Sequence, residues 1–166
     1  KPDLGTPIEN ILDEYGKAIK GSFRGDRIDL EWGELDDYDQ DEDSFYYRSI
    51  REMELAFKKE GDRYYLQNIS YSGDYRKAKA AYMPSDYYDK LKVGDPKTGK
   101  GGVSYKEVIG NNAVSSLTMS AGEDIETDEV ITKMRIQFNS SGSDEYKLTF
   151  VKQADGDFLL AKKGAD

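Results

Sequence analysis

The chain has 166 residues, 33 acidic against 24 basic, with a formal net charge of −9, no Cys and no His. That charge repels phosphate backbones and anionic headgroups, and the missing residue types exclude disulfides, zinc thiolates, thiol nucleophiles and an imidazole base. Leu, Ile, Val and Phe supply only 33 residues, so 13 Tyr rings must help to finish a thin core.

Along the chain, Thr6-Pro7-Ile8-Glu9 has the form of a capping box with Pro at the first helical position. Ile8, Ile11, Leu12, Tyr15 and Ile19 recur at helical spacing, which predicts a helix over 7–20 ended by Gly21. Ile28, Leu30 and Trp32 alternate as in a strand. A dense acidic run over 36–43 follows. Laid over an EF-hand loop from Asp37, it puts Glu42 where Gly must turn and Arg48 where the bidentate Glu must sit. The run reads as a solvated loop, with Asp37, Asp39, Asp41 and Asp43 as weak metal candidates, and no cofactor is expected. Between Phe45 and Arg51 the alternation loses parity, which predicts a β-bulge, with a helix over 44–58 as the competing reading. Met53, Leu55 and Phe57 then alternate up to a Gly61-Asp62 turn.

Residues 74–102 read as a connector: a helical turn begins at Pro84-Ser85, and 94–102 is a mobile loop by composition. Gly94, Gly99 and Lys100 match the start of a P-loop, but Gly101 stands where that motif needs a hydroxyl. Ser104-Tyr105-Lys106-Glu107 is a second capping box, stapled by Val103 and Val108 and closed by Gly110. Strands follow at Val130 to Phe138, at Tyr146, Leu148 and Phe150, and at Phe158 and Leu160 after a turn over 154–157.

Residues 55–66 and 148–160 match one another as strand, Gly-Asp turn and strand, and a capped helix precedes each. This predicts an α+β fold of two tandem repeats, each a short helix followed by an antiparallel sheet, over 1–73 and 103–166. Ten of the 13 Tyr lie between Tyr38 and Tyr88. Strand parity would put Tyr46, Arg48, Tyr65, Gln67 and Tyr71 together on an open face, and Tyr and Arg are residue types enriched at interface hot spots. Without His, only a carboxylate pair could run hydrolysis, in the cleft between the repeats.

From Tyr87 the order Tyr87-Tyr88, Leu91, Gly94, then Gly102-Val103-Ser104, Val108 and Gly110 resembles the repeat of β-lactamase inhibitory protein-like domains of Gram-positive secreted lipoproteins. Their single-copy relatives are similar to small outer-membrane assembly lipoproteins. The resemblance implies two sheets side by side forming a concave, aromatic-bearing face. It also implies export and a lipid-attached Cys ahead of Lys1, the only link to a membrane. The expected function is that of a monomeric, non-enzymatic, extracellular binder of a protein or cell-wall partner. Alternatives are an inhibitor of a secreted hydrolase and a carboxylate-pair enzyme.

Overall fold

The computed structural model describes residues 2–33, 35–36, 47–75, 82–123, 126–127, 129–140, 142 and 145–164. The first part of the chain forms α1 (Ile8–Tyr15), β1 (Lys20–Arg24), β2 (Arg27–Trp32), β3 (Leu35–Asp36), β4 (Tyr47–Glu60) and β5 (Arg63–Tyr75). Then come α2 (Ser85–Lys90), α3 (Tyr105–Asn111), β6 (Val114–Glu123), β7 (Val130–Asn139), β8 (Glu145–Lys152) and β9 (Phe158–Lys163). The strands form one antiparallel sheet in the order β1-β2-β4-β5-β6-β7-β8-β9, and β3 pairs with β4 off that path.

This corrects the expected α+β pair of helix-plus-sheet repeats: the fold is mainly β, built on one continuous sheet. Two features account for it. A ladder from Asn68↔Ser120 to Tyr71↔Leu117 joins β5 directly to β6, where two separate sheets were expected. The helices, of eight, six and seven residues, are also too short to form a layer matching the sheet. The matching hairpins lie on β4–β5 and β8–β9 of that one sheet.

Local chemistry explains the short helices. Thr6 does not cap α1, because its hydroxyl donates to the Asp3 carbonyl at 2.6 Å. Gly16, not Gly21, ends the helix: at φ 74° it sits in the region glycine tolerates best, and its N–H donates to the Leu12 carbonyl at 2.8 Å. The predicted apolar stripe is therefore cut. Ile11 is buried, contributing roughly 2 kcal/mol, while Ile19 falls beyond the helix and is 65% exposed. In α3 the Ser104 hydroxyl does act as a cap, accepting from the Lys106 N–H at 3.3 Å. Gly110 lies inside that helix, and its end is held by side-chain amides instead. Asn111 donates to the Glu107 carbonyl at 2.8 Å and buried Asn112 to the Val108 carbonyl at 2.9 Å.

The helices cover one face of the sheet, called here the inner face. Met53, Leu55 and Phe57 of β4, Leu66 and Ile69 of β5, and Met134, Ile136 and Phe138 of β7 share one buried cluster there with Leu148, Phe150 and Leu160. Ile11 of α1 and Tyr105, Val108 and Ile109 of α3 enter the same cluster, so one core serves the whole sheet. Of the parity break expected from Phe45 to Arg51, residues 47–51 are described and are strand, with register shifts between Tyr47 and Ser49 and between Ile50 and Glu52.

Candidate binding face

On the opposite, outer face, strand register aligns side chains from distant parts of the chain. One row runs Lys20, Glu31, Glu54, Ser70, Thr118 and Arg135, each the cross-strand partner of the next. The neighbouring row runs Ser22, Asp29, Ala56, Asn68, Ser120 and Lys133 in the same way. All but Lys133 line one groove of about 640 Å³ that reaches from β1 to β7. Its centre is small and hydrogen-bonding, with a charged patch at either end.

Glu31, Glu52 and Glu54 crowd the β2–β4 end, with carboxylate oxygens all within 4.8 Å of one another. Lys20 approaches Glu31 at 3.8 Å, and Arg27 forks onto Asp29 with nitrogen–oxygen distances of 2.9 to 3.1 Å. A hydrogen bond with Glu31 raises the pKa of Glu52 above the usual carboxylate range, and burial and the charges of Glu31 and Glu54 push the same way. Such a trio can share a proton. For a cation it offers three of the six to eight oxygens that Ca²⁺ takes. Glu52 and Glu54 are exposed on the sheet surface, so the carboxylates converge on an open face and not in an enclosed cleft.

The outer face of β8 and β9 is different, because it is covered. The 94–102 loop, expected to be mobile, is bonded along the β9 edge: Gly94 N–H donates to the Leu160 carbonyl at 2.8 Å, and Leu160 N–H donates to the Val103 carbonyl at 2.9 Å. Gly99, buried at φ 76°, lies so close to Leu159 that a Cβ there would sit 2.6 Å from its carbonyl oxygen. Gln153 donates to the Thr98 carbonyl at 2.6 Å. Under this cover Thr149, Val151 and Ala161 are only 7%, 5% and 4% exposed. The same loop explains why a P-loop-like spacing makes no phosphate cradle. The Asp95 carboxylate accepts from the Thr98 and Lys97 amides at 2.9 and 2.8 Å, which keeps its pKa below the usual carboxylate range.

Of the residues the sequence suggested for binding, Tyr65 and Gln67 come together. They share a pocket of about 570 Å³ with Lys58, Glu60 and Val130. Tyr65 is half-buried, pairs with Lys58, and lies under the Arg63 guanidinium at 5.7 Å. Gln67 is the extra residue of a bulge, since Ala56 pairs with Asn68 and Phe57 with Leu66. Arg48 falls in the register shift between Tyr47 and Ser49, and the backbone of Tyr71 pairs with Met53. Tyr46 and the weak metal candidates Asp37, Asp39, Asp41 and Asp43 lie outside the described residues. Sequence reasoning missed the two polar rows. Their signal was present in the outward positions 27, 29 and 31, 52 and 54, 68 and 70, and 118 and 120, once those segments are taken as strands.

No family model, curated protein or solved structure matches this chain.

Proposed function

We propose that the chain is a non-enzymatic binding protein that takes a polar protein or cell-wall ligand on the outer face of its sheet. The observation that carries this reading is the groove crossing six strands, floored by Asn68, Ser70, Thr118 and Ser120 between charged ends. Small hydroxyl and amide side chains on a sheet offer hydrogen bonds at low conformational-entropy cost, as a polar ligand requires. The charged patches at the ends of one row, Lys20 with two carboxylates and Arg135, would fix its orientation. Hydrolysis by a carboxylate pair is the weaker reading, because Glu52 and Glu54 are exposed and the groove that Glu54 lines lies open to water rather than excluding it. Export and lipid anchoring belong to the proposal only through the resemblance noted above.

The test is a titration of the isotopically labelled chain, followed by amide chemical shifts, with soluble cell-wall glycan fragments and with polar oligopeptides. Shifts concentrated at residues 68–70 and 118–120, and lost in Asn68→Ala/Thr118→Ala at unchanged melting temperature, are the expected result. Shifts confined to other surfaces, or binding unaffected by that double variant, would overturn the reading.

A further inference from the structure

The two edges of the sheet are treated differently. β9 is paired along its outer side by the segment running from Gly94 to Ser104. β1 is the opposite edge, and among the described residues no backbone pairs with its outer side. An edge of this kind presents a row of N–H and C=O groups to any extended chain.

β1 also carries a two-sided pattern. Lys20, Ser22 and Arg24 stand on the outer face, being partners of Glu31, Asp29 and Arg27. Gly21 and Phe23 stand on the inner face, beside Leu30 and Ile28. Phe23 is 67% exposed, and its ring meets that of Tyr64 edge-on at 6.2 Å. Tyr64 packs against the core, so the exposed strip of Ile19 and Phe23 extends the apolar interior out to the sheet edge. The edge is thus basic on one side and apolar on the other.

We propose that the outer edge of β1 receives an extended peptide by strand addition, with acidic residues facing Lys20 and Arg24 and apolar residues facing Ile19 and Phe23. Strand addition takes affinity from backbone bonds and specificity from alternate side chains, and both are laid out here. The charge pattern selects against a second copy of the chain. An antiparallel β1–β1 pairing centred on Ser22 would place Lys20 opposite Arg24 twice, and like charges facing across strands are destabilising. The net charge of −9 opposes an acidic partner at long range, so affinity must come from the ladder and the close ion pairs. This edge shares Lys20 and Ser22 with one end of the groove but not its centre, and the proposal stands whether or not the groove floor binds a ligand.

The experiment uses the whole chain and a fluorescent peptide of about seven residues alternating Glu and Val, a usual strand length, followed by anisotropy. Saturable binding is expected. It should weaken about tenfold in Lys20→Glu/Arg24→Glu at unchanged melting temperature, and return with a Lys-Val peptide. N-methylation of every second peptide amide should abolish binding, a loss that needs no protein variant. Asn68→Ala/Thr118→Ala should leave it intact, which separates this edge from the groove. Absence of binding, equal binding after charge reversal, or equal binding of the N-methylated peptide would overturn the proposal. Self-association of the chain that Ser22→Pro removes would overturn it as well, by making the occupant a second copy.

Discussion

Along β4, exposed Glu52, Glu54 and Lys58 are set among buried Met53, Leu55 and Phe57, whereas along β8 the four residues of 148–151 are all buried. Both strands belong to one sheet and rest on one core, so the difference lies above them. The β8–β9 part is roofed by the glycine loop, while the β2–β4 part is left to solvent and keeps, apart from the small buried Ala56, the alternation of a half-wet strand. A loop whose composition predicts only mobility thus decides which part of the outer face is open to solvent.

The largest test of this comparison concerns what the two parts share. Phe57→Ala and Phe150→Ala each remove a fully buried ring from the same cluster and should each cost roughly 3–5 kcal/mol. Both should lower a single calorimetric transition. Two separate transitions would break the picture of one sheet on one core.

Next in size is the roof. In Gly102→Ala the new Cβ would overlap the Leu160 backbone, which cannot swing aside, and a loss of about 2–4 kcal/mol is expected. Hydrogen exchange should then rise at Leu159 and Val151 and not at Leu55. A uniform rise would mean that the loop supports the whole fold and not one part of its outer face. Smaller still, Asn68→Val with Thr118→Val should change stability by no more than about 0.5 kcal/mol, because neither side chain is a core residue. A greater loss by chemical denaturation would show the groove floor to be structural.

The two parts should also answer pH with opposite slopes. Glu52 binds its proton more tightly folded than unfolded, so its effect on stability is most favourable at low pH and is lost as pH rises from about 4.5 through the raised pKa. Asp95 does the reverse. Its contribution is present above its ordinary value of 3.8 and is lost as pH falls through the lowered pKa. Glu52→Gln should flatten the first slope and Asp95→Asn the second, read from melting temperature against pH. Exchange of the two effects would refute the assignment.

The sequence made β2, β4, β5, β7, β8 and β9 legible because alternation survives in a half-buried sheet, and the bulge in β4 showed itself as a lost parity; β1, whose first residue was assigned to the helix, and β6 went unseen. It overstated α1, since helical spacing continues to Ile19 whether or not Gly16 breaks the hydrogen-bond ladder. It favoured Tyr as the mark of a binding face, and the groove floor of Ser, Thr and Asn went unseen beside it because those residues carry no strong periodic signal. Glu31 and Glu54 are 23 positions apart in the chain and meet only because β2 and β4 pair in one particular register. No linear motif encodes such a meeting. The joining of β5 to β6 was hidden for the same reason, as a long connector separates them.

That junction has a mechanical consequence. The β5–β6 ladder runs only from Asn68↔Ser120 to Tyr71↔Leu117, while β6 and β7 are paired from Val114↔Phe138 to Glu123↔Val130. Along the main strand path this seam is held by the fewest cross-strand pairs, four against nine for β6–β7, so it is where the fewest backbone bonds resist shear. The floor of the groove crosses that seam, between Asn68 and Ser120 and between Ser70 and Thr118. Shear at that seam would change the width of the groove while leaving the longer ladders on either side intact, so a ligand held as proposed above would be met by a groove whose width is set at its least-bonded line.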